Sequence, residues 1–61
     1  MNNRLQLQNT INYYSEENQI IQSLLQEDLD LTETSIEQYQ IILNQNNETI
    51  ENIKEILANL N

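Results

Sequence analysis

The chain has 61 residues, ten acidic side chains against one arginine and one lysine, and no cysteine, histidine, glycine or proline. Without cysteine or histidine no disulfide or ordinary zinc site is available, and without glycine or proline an all-β fold lacks its usual turn residues. A net charge of −8 repels nucleic-acid phosphates and anionic lipid headgroups, so direct binding to nucleic acid or membrane is not expected.

A chain this short sits at the lower edge of what a single hydrophobic core supports, and with no disulfide or zinc staple, association is the remaining route to stability. No apolar run exceeds three residues, which is too short for a membrane span or the apolar stretch of a secretory signal. The expectation is a soluble, cytoplasmic protein. Asparagine and glutamine make up nearly a third of the residues, but they are interspersed among apolar residues at helical spacing rather than gathered in tracts.

In chain order, the first periodic segment is Leu7, Ile11, Tyr14, Asn18, Ile21 and Leu25. Alternating steps of four and three residues place these side chains on one stripe of a helix that packs against another helix. That spacing predicts a first helix over about residues 5–29. The second segment is longer: Ile36, Tyr39, Leu43, Asn46, Ile50, Ile53, Leu57 and Leu60, predicting a helix over about residues 35–60.

The two registers do not join. Continuing the first stripe would place Asp28 and Thr32 on it, whereas the second begins at Ile36. A phase break of this kind is either a stutter in one long helix or a turn between two helices, and a third helix is conceivable through a break near Asn44 to Asn47. The intervening Asp28-Leu29-Asp30-Leu31-Thr32-Glu33-Thr34-Ser35 favours a turn at about residues 30–34. It offers capping boxes in Thr34 with Glu37 and Asp30 with Glu33, and a hydrophobic staple of Leu31 with Ile36 if Thr32 is the cap.

In an antiparallel pair, the numbers of facing residues sum to a constant, and a turn centred on Thr32 makes that constant 64. The layers then read Leu7 with Leu57, Ile11 with Ile53, Tyr14 with Ile50, Asn18 with Asn46, Ile21 with Leu43, and Leu25 with Tyr39. The only asparagines on the stripes meet each other. An amide facing leucine would be left short of partners at a cost of roughly 1–3 kcal/mol, whereas two amides satisfy one another. Asn18 and Asn46 therefore read as specifiers of register.

Further apolar residues lie off the stripes. Tyr13, Ile20 and Leu24 line an adjacent strip of the first helix, Ile42 and Ile56 flank the stripe of the second, and Ile41 lies farther round. Pairing two helices needs one stripe each, so this surplus predicts a second interface, closed most simply by a dimer of hairpins forming a four-helix bundle. The fold class expected is all-α, a single antiparallel coiled-coil-like hairpin over residues 1–61.

Little catalytic chemistry is available. The serines and the single lysine have no suitable base near them in sequence, and no Glu-x-x-His pair exists to build a bundle metal site. Asp28-Leu29-Asp30-Leu31-Thr32 resembles the opening of a calcium loop, but Glu33 stands where glycine is required and Tyr39 where the bidentate glutamate is required. Asn47-Glu48-Thr49 is a formal glycosylation sequon with no export signal to give it meaning. No catalytic, cofactor or metal residues are therefore assigned, and no cofactor is expected.

The acids form a more distinctive feature. Glu48, Glu51 and Glu55 are spaced three and four residues apart on an outer face, with Glu33 and Glu37 higher on the same helix. Outer helix positions are ordinarily charged, so the row reads first as a solvated face. The near absence of compensating cations gives it a second meaning, an imitation of duplex phosphates. Two functions follow as expectations. One is a non-enzymatic interaction module, an adaptor, assembly subunit or small regulator that forms a homodimer and engages another protein. The alternative is an acidic mimic of nucleic acid that inhibits a basic protein, in the manner of phage-encoded or antitoxin-like regulators.

Overall fold

The computed structural model describes residues 3–60 and forms an all-α hairpin of two helices. Helix α1 spans Asn3–Glu27 and helix α2 spans Glu33–Ala58. They run antiparallel along nearly their whole length, making a rod with extents of 47 × 14 × 14 Å.

Side chains in the connection set where each helix stops. The last helical bond of α1 runs from the Asp28 N–H to the Leu24 carbonyl at 3.0 Å. The Asp28 carboxylate then accepts from the Asp30 N–H at 3.0 Å, a local turn that competes with continued helix. Thr32 is the cap of α2: its backbone is extended and its hydroxyl oxygen accepts from the Ser35 N–H at 3.1 Å. Thr34 lies inside the first turn of α2, so the capping boxes anticipated from Thr34 with Glu37 and from Asp30 with Glu33 give way to Thr32 and Ser35. Leu31 and Ile36, both half-buried, occupy the two positions of a hydrophobic staple around that cap. Leu29, at the tip of the turn, is 94% exposed.

The far end of the rod is tied by Arg4. No basic residue stands in the last turn of α2, yet the Arg4 guanidinium, reaching across from α1, donates to the Leu60 carbonyl at 3.1 Å. A cation at the negative end of a helix dipole is favourable, and here it also joins the two ends of the hairpin. Asn59 helps to close the same turn, its side-chain amide donating to the Glu55 carbonyl at 3.0 Å.

The core is thin. Ile11, Ile50 and Ile53 form its buried centre, with Leu7, Tyr14 and Leu57 packed against them. Ile21 is buried separately on the turn side. Among the described residues no side chain is fully enclosed, as expected when two helices have only each other to pack against.

The capping assignment predicts that Thr32→Ala lowers stability by about 1 kcal/mol, whereas Thr34→Ala changes it by no more than about 0.5 kcal/mol. Urea denaturation followed by circular dichroism at fixed protein concentration checks both. A larger loss from Thr34→Ala would move the cap.

Candidate functional site: a polar layer and an exposed apolar edge

All fourteen stripe positions lie along the contact between α1 and α2, at two depths. Ile11, Asn18, Ile21, Asn46, Ile50 and Ile53 are buried, while Leu7, Tyr14, Leu25, Ile36, Tyr39, Leu43, Leu57 and Leu60 are half-buried. Asn18 is 8% exposed and Asn46 is 6% exposed, as deep as the isoleucines around them.

The two asparagines are joined directly. Asn46 Nδ2 donates to Asn18 Oδ1 at 3.0 Å. One such bond leaves further donor protons on both amides, because a carboxamide nitrogen carries two. Two of the three that remain are taken up by residues beside the stripes: Asn46 Nδ2 also donates to Glu17 Oε1 at 3.3 Å, and Asn18 Nδ2 donates to Asn47 Oδ1 at 3.0 Å. The result is a four-residue chain, Glu17, Asn46, Asn18 and Asn47, that crosses the hairpin from one edge to the other. No buried side-chain nitrogen or oxygen among the described residues lacks a partner.

The stripe pattern does not draw Glu17 or Asn47 into the layer, Asn47 standing out in the sequence only as part of a formal glycosylation sequon. Counting donors would have pointed to them, since two facing amides carry four N–H protons and each accepts with only one oxygen. Both residues immediately adjoin the stripe asparagines in sequence, Glu17 before Asn18 and Asn47 after Asn46, and both have side chains long enough to reach across.

The layer divides the hairpin into unequal halves. Toward the chain ends lies the cluster of Ile11, Ile50 and Ile53. Toward the turn, Ile21 is buried but Leu25, Ile36, Tyr39 and Leu43 are only half-buried. The turn-side half is the less completely covered of the two.

The two edges also differ. Helical spacing places Gln8, Ser15 and Gln22 with Gln40, Asn47 and Lys54 along one edge, which is wholly polar. The opposite edge carries Thr10, Glu17 and Leu24 beside Ile42, Thr49 and Ile56, and Tyr13 and Ile20 extend it around α1. On this apolar edge Tyr13 and Ile20 are each 63% exposed, Ile56 is 49% exposed and Leu24 is 37% exposed, while Ile42 is half-buried. Ile41, farther round α2, is 55% exposed. Tyr13 rests edge-on against Tyr14, with ring centroids 5.4 Å apart. A shallow hollow lies on the same face of α1, lined by Glu16, Gln19, Ile20, Ser23, Leu24 and Glu27.

The acidic row is solvent-facing throughout: Glu33, Glu37, Glu48, Glu51 and Glu55 are all exposed. Glu51 pairs with Lys54 at 3.7 Å, one turn away on the surface, an ion pair of the kind that contributes little. Among the described residues no group of three or more acids, histidines or cysteines is arranged to hold a metal ion. The aspartates of the connection are engaged in turn formation, and Asn47 of the sequon belongs to the amide chain in the middle of α2.

No protein-family model, curated protein or solved structure matches the chain.

The network makes a quantitative demand. Either Asn18→Leu or Asn46→Leu alone should lower stability by about 1–3 kcal/mol, because the surviving buried amide loses a partner. The double substitution should instead raise the melting temperature and loosen the choice of register. A double-mutant cycle measures the coupling, and strictly additive effects would contradict the pairing.

Proposed function

We propose that this protein is a non-enzymatic protein–protein interaction module, an adaptor, assembly subunit or small regulator, that works by packing helices. The observation that carries this reading is the apolar edge of exposed Tyr13, Ile20, Leu24 and Ile56 with half-buried Ile42, lying beside a stripe that the hairpin itself covers only in part. Apolar residues left open along one edge beside a thin core are characteristic of a surface awaiting another helix. The assembly proposed is a homodimeric four-helix bundle.

The area supports that assembly. A compact monomer of 7.2 kDa should expose about 4,100 Å² by the scaling of surface with mass, whereas this chain exposes 4,944 Å². A thin rod has this excess by its shape, and packing a second helical pair against it would reduce the excess. The setting proposed is the cytoplasm, and no described helix is long and apolar enough to cross a membrane.

A second reading, the acidic mimic of nucleic acid, draws on a separate observation. Of the exposed row of Glu33, Glu37, Glu48, Glu51 and Glu55, only Glu51 is paired with a cation among the described residues, Lys54 at 3.7 Å, so the row projects a field with little compensation. The partner in that case is a basic protein.

Sedimentation equilibrium at micromolar concentration should show a dimer that persists in high salt, because apolar burial is not screened. A monomer across that range would overturn the homodimer. For the mimic, replacing Glu48, Glu51 and Glu55 together with glutamine should abolish inhibition of a basic nucleic-acid-binding protein and leave helicity unchanged. Inhibition that survives the substitution would remove that reading.

A further inference from the structure

We infer that, when chains fold together at high concentration, a second copy takes the place of α2 in the hairpin. Residues 28–32 straighten into helix, and two copies pair antiparallel about a two-fold axis at Thr32, each lending its α2 to the other's α1. This goes beyond the bundle proposed above, because it uses the stripes between the helices rather than the apolar edge.

The register of the hairpin is what admits the exchange. Bonds across the rod join residues whose numbers sum to 64, Asn18 with Asn46 and Arg4 with Leu60. In two continuous antiparallel helices with Thr32 level with Thr32, each residue stands level with the residue of the other copy that completes the same sum. Both bonds therefore form again between chains, twice per dimer. The flanking bonds of Asn46 to Glu17 and of Asn18 to Asn47 carry over in the same way. The surface that receives the second copy is one whose complementarity the hairpin already displays; only the chain that supplies the helix differs.

The connection is matched to this rearrangement. From Leu25 to Ile36 is eleven residues, which in a continuous helix comes within about 20° of three whole turns. Both stripes then lie on one face, in the phase of a stutter. Neither glycine nor proline occurs in the chain to interrupt such a helix, and among the described residues no backbone has a positive φ. Leu29, 94% exposed at the tip of the turn, would stand about 40° from Leu25 on that face and enter the pairing surface.

What keeps a single chain closed is local. Opening gives up the bond from the Asp30 N–H to the Asp28 carboxylate and the Thr32 cap on Ser35. It also gathers Glu27, Asp28, Asp30, Glu33 and Glu37 of both copies around one axis, a repulsion that salt screens. Dilute chains at low salt therefore close on themselves, and mass action favours the exchanged dimer as concentration rises. Folded hairpins exchange only after α1 and α2 separate.

Spin labels distinguish the two forms. Asn9 and Glu55 are both exposed and stand level across the hairpin, and the natural chain has no cysteine, so Asn9→Cys with Glu55→Cys labels these sites alone. The doubly labelled chain is refolded from denaturant at high salt with an excess of unlabelled chain, so that the measured distance is within one chain. A closed hairpin holds the labels about 20 Å apart, two helix diameters, whereas the exchanged dimer separates them by about 70 Å of continuous helix. The long distance is expected, in a fraction that grows with total concentration and sediments as a dimer. Asp28→Ala with Asp30→Ala should raise that fraction's dimerisation constant at least tenfold, and Leu29→Gly with Asp30→Gly should lower it at least tenfold, since each dimer contains two connections. A sample that sediments as a dimer with only the short distance would overturn the exchange and leave the bundle intact. A monomer with only the short distance at every concentration would overturn both. A long-distance fraction indifferent to both pairs of substitutions would overturn the continuous helix.

Discussion

A pair of buried amides governs this molecule. With only Ile11, Ile21, Ile50 and Ile53 as buried apolar residues, the packing of the two helices would tolerate sliding by a heptad, since isoleucine, leucine and tyrosine recur at every layer. The amides do not tolerate it. Moving α2 by seven residues would set Asn18 against Tyr39 or Ile53, and Asn46 against Ile11 or Leu25, leaving two buried carboxamides short of partners. At roughly 1–3 kcal/mol each, that penalty is comparable with a large part of what so small a core provides. The bond at 3.0 Å between Asn46 and Asn18 is thus a statement about which alternatives are excluded. The Arg4 bond to the Leu60 carbonyl lies in the same register at the far end of the rod, where its residue numbers also sum to 64.

The same amide chain gives the hairpin two unlike edges. On one side it ends at Asn47, within a row of purely polar residues. On the other it ends at Glu17, which interrupts the apolar edge of Leu24, Ile42 and Ile56. That placement keeps a carboxylate close to the surface through which association is proposed. A partner covering this edge must therefore accommodate negative charge, which narrows both the identity of the partner and the geometry of its approach.

Periodicity revealed the two helical stripes, and the phase break together with the turn and capping residues from Asp28 to Ser35 revealed the hairpin and its facing asparagines, because apolar spacing and a phase break are long-range features spread over many residues. The helix ends were less legible. Asp28, Asp30, Thr32, Thr34 and Ser35 are all competent to cap or to turn, and the choice among them depends on backbone angles that spacing does not encode. The part that Glu17 and Asn47 play in the layer was illegible for a related reason: they sit beside the stripes, where a charged or polar residue is unremarkable until the donors of the layer are counted. The exposed strip was visible as a surplus of apolar residues, yet its division into a polar and an apolar edge emerges only when both helices are placed side by side.

The central claim, that Asn18 and Asn46 meet within one chain, is open to direct observation in solution. In an isotopically labelled sample, the side-chain amide protons of Asn46 should show nuclear Overhauser contacts to Asn18 and exchange with solvent more slowly than those of the exposed Asn52. Mixing labelled with unlabelled chains should leave those contacts unchanged, as required of a bond within one hairpin. Contacts from Asn18 to Ile53 or Tyr39, or side-chain exchange at Asn46 as fast as at Asn52, would contradict the account.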